Sequence, residues 1–120
     1  MFGWAKEAEL QPKLEDLFGV PLQKSEARYT RHDWQTDNYL IELKARMSPV
    51  RPTTYADWLV PVCKFDFNTD KEIICFYYFE ETRQLYYIIY DPELFRTYKQ
   101  FYNRNGQLTY KIPAGDWTEV

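Results

Sequence analysis

At 120 residues the chain holds enough material for a single hydrophobic core and no second one. Its formal net charge of −3 and pI near 5.2 argue against a protein that coats nucleic acid through bulk positive charge, though not against an enzyme acting on it through a local site rich in acids. One histidine, four glycines and two cysteines at no metal or redox spacing leave little from which to build a histidine triad, a zinc site or a glycine-rich phosphate loop.

Residues 4–18, WAKEAELQPKLEDLF, place Leu10, Leu14, Leu17 and Phe18 at helical spacing, with Gly19 as the C-terminal cap. Pro12 either sits in the first turn, so that the helix begins near it, or kinks a longer helix. The opening MFGWAKEAEL lacks signal-peptide character, and no apolar run reaches the roughly 18 residues a membrane span needs. Cys63 and Cys75 read as buried, reduced thiols, so a soluble, cytoplasmic protein is expected. VPLQKSE, residues 20–26, is a connector.

Arg28 to Arg46 reads as a two-stranded hairpin. Asp37 and Asn38, set between β-prone Thr36 and Tyr39, suit a two-residue turn in which both central residues take positive φ. That turn places Gln35 opposite Leu40, Trp34 opposite Ile41, Asp33 opposite Glu42 and Arg31 opposite Lys44. Alternation then gives Trp34, Ile41 and Leu43 one face and Asp33, Glu42 and Lys44 the other, with His32 opposite Asp33. Two directly opposed carboxylates repel, and a divalent cation with a nearby ammonium would offset that. Mixed charges on a solvated strand face would need no such explanation. Leu40 shares the face with Glu42, however, and both strands run into aromatic sequence, so the face is expected to be partly covered and the acids to need partners.

MSPVRPT is loop, broken by Pro49 and Pro52. Thr54 to Asp57 offers a Thr cap with an acid three residues on, predicting a helix start. Helical spacing through Tyr55, Trp58, Leu59 and Val62 carries past Pro61, whereas an interior proline costs up to about 3 kcal/mol and favours a stop near Leu59. Ile73 to Phe79 and Leu85 to Tyr90 form a second, almost wholly apolar hairpin, buried on both faces or set against a partner; it is the candidate surface for a homodimer. Asp91-Pro92-Glu93 opens a last helix lined by Leu94, Phe95, Tyr98, Phe101 and Tyr102 and ended by Asn105-Gly106. Gln107 to Ile112 is a final strand, and Pro113 onward is tail, with Trp117 folding back. The order predicts an α/β (α+β) single domain over 1–120 with a central mixed sheet flanked by helices.

Asp33, eight intervening residues and then Glu42-Leu43-Lys44 within an apolar strand resemble the D…(D/E)-x-K signature of the PD-(D/E)XK nuclease superfamily. Residue 32 is His where the family's name has Pro. Asp37 could also be aligned with the family's aspartate, but its place in the turn argues against that. The resemblance implies a restriction-endonuclease-like fold and Mg²⁺- or Mn²⁺-dependent hydrolysis of DNA phosphodiester bonds, with selectivity for junctions or flaps among the forms it takes. Among the family, a chain this short resembles phage and resolvase members most, which are often homodimers. Asp33 and Glu42 would supply oxygen ligands together with the Leu43 carbonyl, and Lys44 would orient or deprotonate the attacking water. In the family a first-helix glutamate often joins the metal; Glu7 and Glu15 both qualify. A helix after the E-x-K strand would make Lys64 a phosphate contact, and Arg31 and Arg46, within a stripe that includes Arg28, Lys44 and Arg51, would be others. The competing expectation is a non-catalytic, acidic, tyrosine-rich module of the phage-encoded kind that docks on a partner protein through Tyr77, Tyr78, Tyr86, Tyr87 and Tyr90.

Overall fold

The computed structural model describes residues 2–24, 32–65 and 69–120, with side chains from residue 6 onward. Helix α1 (Phe2–Phe18) runs through Pro12 rather than starting at it. Burial holds it in place: Leu10 and Leu14 are inside, and Gly19 closes it at φ +70° with its N–H on the Glu15 carbonyl at 2.8 Å. A left-handed residue there satisfies a carbonyl the helix would leave open.

Six strands form the central mixed sheet, in the order β1 (Gln23–Lys24), β2 (Trp34–Gln35), β3 (Tyr39–Arg46), β5 (Glu72–Phe79), β6 (Gln84–Ile89) and β9 (Thr118–Glu119). Only β3 and β5 run parallel, with Glu42 beside Cys75 and Lys44 beside Tyr77. A parallel pair needs a crossover, and here Met47 to Lys71 supplies it. Within that crossover β4 (Asp57–Pro61) joins β8 (Leu108–Pro113) and β7 (Lys99–Tyr102) in a second, three-stranded antiparallel sheet in the order β4-β8-β7.

The apolar run of β5 explains the layering, because its alternate residues enter different cores. Ile74, Phe76 and Tyr78 meet Leu10, Leu14, Trp34, Ile41 and Leu43 under α1. Ile73, Cys75, Tyr77 and Phe79 meet Trp58, Val60, Tyr110 and Ile112 under the small sheet. The fold is a single α+β domain, as the sequence implies, but α1 covers one face of the central sheet and a second sheet covers the other.

Several element expectations are corrected by that arrangement. No helix starts at Thr54: residues 57–61 pair with β8, Trp58 against Ile112 and Val60 against Tyr110, and only a short 3-10 turn at Val62–Lys64 is helical. The last helix stops after one turn, α2 (Pro92–Phe95), although Asp91 caps it as expected by accepting the Glu93 N–H at 3.0 Å. Asn103 then builds a hairpin turn, its Oδ1 accepting the N–H groups of Asn105 and Gln107, with Gly106 at φ +76°. Asn105-Gly106 therefore turns a hairpin instead of ending a helix. The tail contains β9, paired to β6, and Trp117 is buried as expected. In the aromatic hairpin expected as a dimer surface, every β5 residue from Ile73 to Phe79 is buried, Tyr77 and Tyr78 included, whereas Tyr86, Tyr87 and Tyr90 are partly buried and Ile89 is exposed. Cys75 is buried and Cys63 exposed, and among the described residues neither forms a disulfide. Among the described residues no helix is long and apolar enough to cross a membrane.

Candidate active site

The β2–β3 hairpin has the expected register, Trp34 opposite Ile41 and Gln35 opposite Leu40, with the Thr36 N–H on the Tyr39 carbonyl at 2.9 Å. Its turn is made differently from the expectation. Neither Asp37 nor Asn38 takes positive φ; instead Thr36 Oγ1 accepts the N–H groups of Asn38 (3.2 Å) and Tyr39 (3.0 Å). A side-chain hydroxyl thus does the work that left-handed residues would otherwise do.

The ladder ends at Trp34, so Asp33 does not simply face Glu42 across it. Its N–H donates to the Ile41 carbonyl at 2.9 Å, and its carboxylate Oδ2 accepts the Leu43 N–H at 2.8 Å. The Asp33 side chain replaces a missing backbone acceptor beside β3. Leu43, expected to offer its carbonyl, is thereby seen to engage Asp33 through its N–H, and its side chain lies in the core under α1.

Glu42 points the other way, into the seam between the two sheets, and is 3% exposed. Lys44 approaches its Oε1 at 3.5 Å and Lys64 its Oε2 at 3.5 Å. Both are long contacts, and Glu42 Oε2, sealed from solvent, accepts no well-formed hydrogen bond. Burial first, and then the neighbouring Asp33 charge, push the Glu42 carboxyl up to about 7 against the pull of the two ammonium groups. The carboxylate is thus held beside Asp33 at an electrostatic cost that the two lysines only partly offset.

Lys64 is the residue whose place the sequence reading underrated. It arrives through the 3-10 turn after β4, where His32 Nε2 lies 2.6 Å from the Lys64 carbonyl. His32 is buried and ties β2's entry to that turn, because the alternation that would have turned it away from Asp33 does not extend beyond Trp34. No local signal marks Lys64, since its position depends on β4 pairing with a strand far along the chain. Cys75, the ladder neighbour of Glu42, is fully enclosed, and burial pushes its thiol well above the ordinary range.

Neither first-helix glutamate joins this group. Glu7 pairs with Lys24 at 2.6 Å, and Glu15 Oε2 accepts the Leu22 N–H at 2.8 Å. The physical reason is layering: α1 packs on the face of the central sheet opposite Glu42. Arg46 continues the line of Glu42 and Lys44 along β3, one pleat further on, with its guanidinium 5.7 Å from the Tyr55 ring. Arg28 and Arg31 lie outside the described residues.

Whether a divalent cation suits this site turns on its donors. Asp33 keeps one carboxylate oxygen clear of hydrogen bonds among the described residues, and the neighbouring Glu42 Oε2 has only the long Lys64 contact. Hard oxygens that repel one another are what Mg²⁺ or Mn²⁺ relieves, so the pair fits such an ion. Among the described residues no set of three or more Asp, Glu, His or Cys side chains converges, so waters and phosphate oxygens would have to complete the coordination. No protein-family model, curated protein or solved structure matches this chain.

Proposed function

We propose that this chain is a metal-dependent endonuclease of the PD-(D/E)XK type, hydrolysing DNA phosphodiester bonds. The observation that carries the reading is Glu42: a buried carboxylate beside Asp33 and between two lysines, its Oε2 met only by the long Lys64 contact. A core built for stability alone gains little from such a group, because a buried ion cluster rarely outperforms apolar packing of the same volume.

Asp33 and Glu42, with the Leu43 carbonyl, would hold Mg²⁺ or Mn²⁺, which when bound supplies Lewis-acid stabilisation of the charge on the phosphoryl oxygens. Lys44, partly exposed beside Glu42, holds the attacking water and, as an ammonium, stabilises the developing negative charge. Lys64 restrains Glu42 from the other side and fixes the orientation of its carboxylate. Arg46, further along the same face, supplies a phosphate contact. The competing reading, a docking module built on tyrosines, would have to rest on the partly buried Tyr86, Tyr87 and Tyr90, since Tyr77 and Tyr78 are interior.

Incubation of labelled single-stranded, duplex, flap and four-way-junction DNA with Mg²⁺ or Mn²⁺ tests the proposal. The native chain is expected to cut at least one substrate, and Glu42→Gln and Lys44→Ala to lose at least a hundredfold in rate while remaining folded. Cutting that survives both substitutions, or a native chain that neither cuts nor binds Mn²⁺ in a Glu42-dependent way, would overturn it.

A further inference from the structure

Beyond Lys44 the seam between the sheets opens into a cleft of about 380 Å³, between the end of β3 and the free edge of β4. Its size suits a small ring-bearing ligand. Arg46, Tyr55, Asp57, Trp58, Tyr77 and Lys111 contribute to its walls. The aromatic floor is fixed before anything binds: the Trp58 ring lies 5.3 Å from that of Tyr77 and 4.7 Å from that of Phe79, and the Tyr77 hydroxyl reaches the Leu59 carbonyl at 3.5 Å. The rim is different. Tyr55 is 53% exposed, with the Arg46 guanidinium over its ring, and neither Arg46 nor Lys111 is paired with a carboxylate among the described residues.

Lys111 turns its ammonium to the Phe101 ring at 5.2 Å and Asp57 adds a carboxylate to the wall, so the recognition falls to Arg46: an unneutralised guanidinium over an exposed aromatic ring suits a planar group that carries an anion. Because β3 alternates, Arg46 stands on the same face as Glu42 and Lys44, so the wall it gives the cleft lies one pleat along β3 from Lys44. We propose that this cleft is a subsite for the nucleoside adjoining the scissile phosphate, with Arg46 holding the neighbouring phosphate and Tyr55 stacking on the base. The assignment rests on the phosphodiesterase reading for its place beside the scissile bond, but its ligand chemistry can be tested without cleavage.

Titration calorimetry with dAMP, with deoxyadenosine and with inorganic phosphate on the full chain separates the possibilities. The expected result is binding of dAMP at least tenfold tighter than of either fragment, weakened tenfold or more by Arg46→Ala and by Tyr55→Ala, and changed less than threefold by Lys13→Ala on the exposed side of α1. Tyr55 is exposed and lies between a turn and β4, so its substitution keeps the test valid if Arg46→Ala fails to fold. Equal affinity for inorganic phosphate and dAMP, or dAMP binding indifferent to both substitutions, would overturn the subsite. Arg46- and Tyr55-dependent binding in a chain that cuts no DNA would uphold the cleft and defeat the nuclease reading. Metal-dependent cleavage whose KM ignores both substitutions, with no dAMP binding, would do the reverse.

Discussion

Glu42 ties the chemistry of the site to the stability of the fold. Its folded-state pKa of about 7 lies above the ordinary 4.5, so the folded chain binds this proton more tightly than the unfolded one. The sign follows from linkage: the group's contribution is most favourable below the unfolded value and is lost as pH rises through 7. The span is at most about 3 kcal/mol, at 1.36 kcal/mol per unit. Thermal unfolding of the native chain and of Glu42→Gln, compared between about pH 5 and pH 8, should show the native chain losing stability relative to the variant as pH rises. A difference that does not change with pH would mean that Glu42 is not held as described. Mn²⁺ should restore the native chain at the higher pH, and by less at the lower one, because it competes with the proton for the same oxygens.

At the scale of elements, the tight turns show what is legible in a sequence. The β2–β3 register could be read from the short turn because a two-residue loop leaves few ways to pair its flanks, but the backbone chemistry of that turn could not, since Thr36 offered an equally local alternative. The helix expected after Thr54 failed for a different reason. Trp58, Val60 and their neighbours satisfy both helical and alternating patterns, and the choice was made by β8, whose residues lie some fifty positions away. The approach of Lys44 to Glu42 was legible because the two share one strand face, whereas Lys64 was hidden because its place depends on that distant pairing. Arg83, between β5 and β6, was equally invisible: it takes φ 55°, a region that penalises a side chain. Arg83→Gly should therefore raise stability by about 0.5–1 kcal/mol in denaturant unfolding. Gly19→Ala, with open space around it but φ +70°, should lower stability by about 1 kcal/mol. Opposite signs at the two turns are the check, and a loss at Arg83→Gly would show that the arginine side chain contributes more than its backbone costs.

Over the whole molecule, the site exists because two sheets meet on one face of β3, and that meeting is secured by aromatic packing remote from the acids. Trp117 lies in the seam, its ring 5.3 Å from Trp58 of the small sheet and 5.2 Å from Tyr77 of the large one. Trp58 anchors β4, and β4 leads into the turn that carries Lys64 to Glu42. Trp117→Ala should cost about 3–5 kcal/mol, as for other buried aromatics. Loosening the seam should also withdraw Lys64 from Glu42, removing one of the two charges that hold the carboxyl down and driving its pKa further up. Leu14→Ala offers the control. It opens a cavity costing about 2–5 kcal/mol in the other core, under α1, where neither lysine is involved. Both variants should unfold earlier, but only Trp117→Ala should move the Glu42 carboxyl titration followed by NMR. Equal shifts in the two variants, or none in either, would mean that the site is held by its own local contacts and not by the packing of one sheet on the other.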